Sequence, residues 1–138
     1  MTPVQRIVKA KTYIDAHYQE PLDLDQIAEE ACLSKYHFLR LFKKTYQITP
    51  HQYLLKKRIG VAREKLGNTE LSIAEICAMI GFESIGSFSH KFKKLVGESP
   101  TCYRLRVQQE KAVSEERPRR VIPYCFINRM VISPDGGD

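Results

Sequence analysis

One segment of this chain is written twice. Leu24-Asp25-Gln26-Ile27-Ala28 matches Ile73-Ala74-Glu75-Ile76-Cys77 at an offset of 49 residues. Phe38, Phe42, Lys43, Lys44, Pro50 and Tyr53 then match Phe88, Phe92, Lys93, Lys94, Pro100 and Tyr103 at an offset of 50. A single inserted residue, between Leu33/Phe82 and Phe38/Phe88, accounts for the change. Apolar and basic positions agree in the same order, so the chain builds one supersecondary unit two times over. Any fold for it must consist of two like parts.

Each unit reads as helix, short turn, helix. In the first, Asp23 and Gln26 stand at capping-box spacing. Leu24, Ile27, Ala28 and Ala31 then lie on one helical face. Ser34 caps a second helix with the inward stripe Phe38, Leu41, Phe42 and Thr45. In the second unit Ser72 and Glu75 form the box, and Ile73, Ile76, Cys77 and Ile80 form the face. Gly81 suits a left-handed C-terminal cap. Ser84 caps the next helix, with the stripe Phe88, Phe92, Leu95 and Val96, and Gly97 ends it. Three more helices open at Thr2-Pro3, Thr49-Pro50 and Ser99-Pro100, where proline occupies a favoured first-turn position. The first of these is expected to turn Val4, Ile7, Val8 and Ile14 inward, and the middle one Leu55, Ile59, Ala62 and Leu66. Seven helices with no strand before residue 110 make the expected class all-α.

The second helix of each unit carries the chemistry. With Phe38, Leu41 and Phe42 facing inward, Lys35, Tyr36, Leu39, Arg40 and Lys43 face outward. A helix pair joined by a short turn can push its second helix into the major groove of DNA. There Arg40 can pair bidentately with guanine O6 and N7, and Tyr36 can touch a thymine methyl, sugar or phosphate. The matching face of the second unit is Ile85, Gly86, Ser89, His90 and Lys93. Ile85 suits thymine methyls, Ser89 donates or accepts, and His90 can donate to guanine N7 or a phosphate. The base-reading set is thus Lys35, Tyr36, Arg40, Ile85, Ser89 and His90. The phosphate set is Ser34, Lys43, Lys44, Ser84, Lys91, Lys93 and Lys94. Taken alone, Lys93 and Lys94 read as solvated surface; the repeat assigns them to phosphate. Being poorer in long polar side chains, the second unit is expected to add more shape and phosphate contact than base discrimination.

Charge agrees with this. Residues 1–109 hold 17 Lys+Arg against 11 Asp+Glu, whereas residues 110–138 are balanced. A basic helical part has an electrostatic reason to meet phosphates. The middle helix adds Lys56, Lys57 and Arg58, which read as phosphate contacts or as solvated surface, with a salt bridge to one of the units it connects as the alternative for Arg58. About 17 residues at ~1.5 Å each make it a rod of ~25 Å. That length would set two recognition helices near the ~34 Å spacing of successive major grooves, or require the DNA to bend.

Other classes are disfavoured. No nucleophile-base-orienter set, glycine-rich phosphate loop or paired carboxylates is visible, so no enzyme is expected. No cofactor or metal is expected either. The four cysteines form no CxxC pair and lie away from histidine ligand spacing, so all four are read as reduced, mostly buried small hydrophobes. No apolar run suits a bilayer and the N-terminus lacks a signal-peptide pattern, so the expected compartment is the cytoplasm, at the nucleoid. A protein or RNA interaction module using the basic helices and the tail is the alternative reading.

Ser34-Lys35-Tyr36-His37-Phe38-Leu39-Arg40-Leu41-Phe42-Lys43-Lys44 resembles the first recognition helix of AraC/XylS-type regulators. Thr49-Pro50, Tyr53, Arg58-Ile59 and Ala62 resemble their linker helix. Ser72 to Cys77, Gly81-Phe82-Glu83-Ser84, Phe88-Ser89, Phe92-Lys93-Lys94, Gly97, Ser99-Pro100 and Tyr103-Arg104 resemble their second half. The resemblance spans residues 3–107. It implies a seven-helix bipartite domain of two helix-turn-helix subdomains joined by a long linker helix, at residues 1–108. The first unit would span about 22–47, the linker about 50–66 and the second unit about 72–97. It further implies a monomer on an asymmetric double-stranded DNA site, and regulation of transcription, activation rather than repression, through RNA polymerase. By position, Tyr36 and Arg40, and Ile85, Ser89 and His90, fall on the family's reading positions. Residues 109–138 are expected to be a polar linker and an irregular C-terminal tail, apolar-rich from Val121 to Ile132, with Arg119 and Arg120 as minor phosphate contacts.

Overall fold

The computed structural model describes residues 2–115. They form seven helices: α1 (Pro3–His17), α2 (Leu24–Glu30), α3 (Lys35–Tyr46), α4 (Pro50–Asn68), α5 (Ile73–Met79), α6 (Ile85–Val96) and α7 (Pro100–Glu115). No strand occurs among the described residues. The expected all-α class holds. α7 continues to Glu115, past the boundary expected at residue 108. Gln109-Glu110-Lys111-Ala112 are good helix formers, and no glycine or proline interrupts them before Pro118. The segment from Val121 to Ile132, with Arg119 and Arg120, lies outside the described residues.

The chain divides into two compact units. The first holds the chain up to Val61 together with Met79–Gly81; the second holds Ala62–Ala78 and Phe82 onward. In the first unit Ile7, Ala10 and Ile14 of α1 meet Ile27, Ala28, Phe38, Phe42 and Leu54 in a closed core. The inward face of α1 is therefore Ile7-Ala10-Ile14. Val4 and Val8, expected inside, are 55% and 47% exposed. Likewise Leu54 is buried while Leu55 is only half-buried, and Leu95 of α6 is exposed rather than part of the stripe. In α1 the stripe runs through Ala10, whose small side chain lets α2 and α3 approach.

The repeat is visible as an aromatic ladder. Phe38 and Phe42 meet edge to face with centroids 5.7 Å apart, and Phe42 meets Tyr53 at 5.9 Å. In the second unit Phe88 and Phe92 are 5.6 Å apart, and Phe92 meets Tyr103 at 5.5 Å. Such pairs add ~0.5–1.5 kcal/mol each beyond the area they bury. They bind each recognition helix to the start of the helix that follows it.

Helix ends are closed by side chains. Reciprocal capping boxes join Thr2 with Gln5, Thr49 with Gln52, and Ser72 with Glu75. The box orders the exposed Glu75 carboxylate on the Ser72 backbone N–H, which lowers its pKa. Asp23 caps α2 by accepting from the Asp25 N–H at 2.9 Å. At the other ends, arginines take orphan carbonyls. In the first unit Arg58 donates Nε to the Tyr18 carbonyl at 2.7 Å and Nη2 to the Glu20 carbonyl at 2.8 Å, just past α1. In the second, Arg104 donates to the carbonyls of Leu66 and Thr69 at the end of α4. Burial lowers the pKa of Arg58, and its carbonyl partners compensate the lost hydration. Expected as a phosphate contact, as solvated surface or as a salt bridge to a unit, Arg58 is half-buried and hydrogen-bonds backbone carbonyls past the end of α1. Among the cysteines, Cys77 is a buried free thiol, Cys32 an exposed free thiol in the turn after α2, and Cys102 is disulfide-bonded. The expectation of four reduced thiols therefore fails at Cys102.

Candidate nucleic-acid interface

α3 is fastened from below by Phe38 and Phe42, both fully buried, so the opposite face must point to solvent. Ser34 holds its N-terminus, its Oγ accepting from the His37 N–H at 3.2 Å. Lys35, Tyr36, Arg40, Lys43 and Lys44 are all exposed, as expected. Tyr36 is 72% exposed, the most exposed of the large apolar side chains among the described residues. An aromatic ring left in water on a helix so well fastened has no folding role. Leu39 departs from expectation: it is half-buried and packs against the core.

Two contacts within this face escaped the reading of the sequence. The Arg40 guanidinium lies 5.5 Å from the centre of the Tyr36 ring. The i,i+4 spacing of the pair was the available signal. A guanidinium lying over an aromatic ring loses rotamer freedom before any partner arrives. Lys35 Nζ lies 3.7 Å from Asp25 of α2, in an exposed ion pair worth ~0–1 kcal/mol. Such a pair is easily exchanged for a phosphate or a base edge. Lys43 and Lys44 occupy the last turn of α3, where cations also complement the helix dipole.

α6 repeats the arrangement. Phe88 and Phe92 are fully buried, and Ser84 Oγ accepts from the Ser87 N–H at 3.1 Å. Ile85, His90, Lys91, Lys93 and Lys94 are exposed, whereas Ser89 is half-buried at the margin of the face. The side chains differ in kind from those of α3. Its first turn, Ile85-Gly86-Ser87, presents no charge, and Lys93 and Lys94 fill its last turn. The candidate sites are thus all on recognition helices or at their caps, and Ser34 and Ser84 serve first as caps.

The family described as "Helix-turn-helix domain" matches residues 27–106. The HTH-type transcriptional activator AarP of Providencia stuartii is 33% identical over 93 residues, covering 67% of this chain and 69% of that protein. The probable transcriptional regulator LumQ of Photobacterium leiognathi is 33% identical over 102 residues, covering 74% of this chain. This chain spans only 41% of the length of LumQ. A solved AraC-type regulator from Chromobacterium violaceum superposes with a TM-score of 0.71 at 30% identity, over 77% of this chain and 95% of that one. The DNA-binding domain of AdpA, solved in complex with a target DNA, gives a TM-score of 0.73 at 25% identity, over 81% of this chain and 98% of that one. With two phenylalanine-anchored recognition helices repeated along it, and these relatives, the chain belongs to the AraC/XylS-type family of helix-turn-helix DNA-binding domains.

Proposed function

We propose that this protein is a sequence-specific double-stranded DNA-binding regulator of transcription. The observation that carries the reading is the pair of solvent-facing surfaces on α3 and α6, opposite buried phenylalanine pairs and flanked by lysines. α3 enters one major groove with Lys35, Tyr36 and Arg40 toward base edges. α6 enters the next with Ile85, Ser89 and His90. Ser34, Lys43, Lys44, Ser84, Lys91, Lys93 and Lys94 hold the phosphates on either side. The protein acts as a monomer on an asymmetric site in the cytoplasm, at the nucleoid. It works as an activator that contacts RNA polymerase. The similarity to AarP, an HTH-type transcriptional activator, supports that direction. No helix among the described residues is long and apolar enough to cross a membrane.

In vitro selection from random duplexes tests this with the full chain. A motif in two parts about one helical turn apart is the expected outcome. Binding should fall steeply with salt, since each neutralised phosphate contributes about 0.9 to the logarithmic slope. Enrichment of no motif would remove the specificity claim and leave an interaction module. A single short motif would remove the claim that both helices read DNA.

A further inference from the structure

The first turn of α6 holds two residues that the fold does not account for. Gly86 lies in the helix without the positive φ that only glycine tolerates, and a Cβ built on it meets nothing within 4 Å. Alanine would fit there with no collision, and glycine in a helix is ordinarily disfavoured against it. Ile85, beside it, leaves 47% of its surface in water. The aligned positions of the first unit are Lys35 and Tyr36, both long, both exposed, one charged. The two units therefore share a frame but present opposite surfaces at the same place: one tall and polar, the other flat and apolar.

In the major groove the base edges offer donors, acceptors and one apolar group, the 5-methyl of thymine. A flat apolar helix edge can discriminate only by that group. We propose that the first turn of α6 is a thymine-methyl reader, with Ile85 packed on the methyl and Gly86 kept free of a side chain so that the helix backbone comes close enough for that contact. This deepens the DNA-binding reading and rests on it. It gives a specific base-discriminating contact to a helix expected, for its scarcity of long polar side chains, to add more shape and phosphate contact than base discrimination. Part of the specificity of the second half-site then comes from an apolar contact, beside the polar contacts of Ser89 and His90.

The test uses the full chain and the duplex obtained by selection. Each thymine in the half-site assigned to α6 is replaced in turn by deoxyuridine, which removes one methyl group and no hydrogen-bonding atom. Affinity is expected to fall about 3–10-fold at one thymine, the range for one methyl lost from a packed contact. Ile85→Ala should bind more weakly and become indifferent to that replacement. Gly86→Ala should raise the melting temperature of the free protein while lowering affinity for the selected duplex about 10-fold or more. Indifference of the natural protein to every deoxyuridine overturns the proposal. So does a methyl effect that survives Ile85→Ala, or a Gly86→Ala protein that binds as before. Circular dichroism of both variants checks folding, and Ile85 and Gly86 are both at the surface. A selection that yields no motif would instead sink the DNA-binding reading itself.

Discussion

Cys32 and Gly81 hold the same left-handed turn in the two copies of the repeat, with φ of 57° and 91°. In the first unit the Leu33 N–H donates to the Ala28 carbonyl at 3.0 Å, and in the second the Phe82 N–H donates to the Cys77 carbonyl at 3.1 Å. Each bond joins equivalent residues of the repeat, and together with the Cys32 N–H on the Glu29 carbonyl they describe a Schellman ending. The same substitution recurs after the recognition helices, where Gln47 has a φ of 67° and Gly97 a φ of 100°. The second copy of the repeat uses glycine at both left-handed sites. The first copy uses side chains, and stores strain there.

Replacing Cys32 with glycine should release that strain. A non-glycine residue in this region costs about 1–2 kcal/mol, offset in part by the greater freedom of glycine in the unfolded chain. Urea unfolding of Cys32→Gly should therefore show a gain of about 0.5–1 kcal/mol. Cys32→Ala removes the thiol but keeps the left-handed backbone, so it should show no gain. A Cys32→Gly protein no more stable than Cys32→Ala would refute the strain argument. Gln47→Gly should gain less, because the Gln47 side chain also donates to the Lys44 carbonyl at 3.0 Å.

The opposite change at Gly81 should be damaging. A Cβ there would sit 2.9 Å from the Gln19 carbonyl oxygen and 3.1 Å from Arg58 Nη2. Neither neighbour can give freely, since one is backbone and the other is fastened to the Tyr18 and Glu20 carbonyls. Gly81→Ala should lose about 2 kcal/mol or more, from backbone strain and collision together. Gly60→Ala, in the exposed interior of α4 where a Cβ meets nothing, should gain about 0.5–1 kcal/mol. Thermal melts of both variants check the pair. Equal effects of the same sign would show that the turn carries no such constraint.

The contact of Arg40 with Tyr36 leads to a graded expectation. Arg40→Ala should cost about 1–3 kcal/mol on the selected duplex and relax preference at one base pair. If Tyr36 acts by holding the guanidinium, Tyr36→Phe keeps the ring and should preserve that preference, while Tyr36→Ala should weaken it by about 0.5–1 kcal/mol. Binding to the selected duplex and to its single-base variants measures both. Loss of preference in Tyr36→Phe equal to that in Tyr36→Ala would mean that the hydroxyl, not the ring, does the recognition.

Much of this was legible in the residues because phenylalanine pairs at i,i+4 leave no choice of inward face. Once Phe38/Phe42 and Phe88/Phe92 point in, Tyr36, Arg40, Ile85 and His90 must point out. α1 offered two overlapping stripes, and the one through Val4 and Val8 looked the more apolar. Packing chose the stripe through Ala10, where a small side chain lets α2 and α3 come near. The left-handed Cys32 and Gln47 were hidden because nothing in those residue types marks a strained turn. The buried carboxylate of Glu98 was hidden too. It is held by Arg106, Nε at 2.8 Å, eight residues along in a helix whose charges read as surface. Hydrogen bonding to Glu98 raises the pKa of Arg106.

Lys93 separates phosphate contact from plain surface. It stands exposed in the last turn of α6, and its backbone carbonyl accepts the Gly97 N–H at 2.8 Å. Lys93→Ala leaves that cap intact and removes a cation worth about 0.3–1 kcal/mol at a helix C-terminus, so the fold should survive. If Lys93 meets a phosphate, the variant should bind every sequence less well by a similar factor. The logarithmic salt slope should also fall by about 1, because one fewer counterion is released on binding. Titrations on the selected and on a scrambled duplex, each across a range of salt, measure both quantities. An unchanged slope would return Lys93 to the solvated surface. A loss confined to the selected duplex would place it against a base, and the division of α6 into an apolar reading turn and a basic anchoring turn would fall with it.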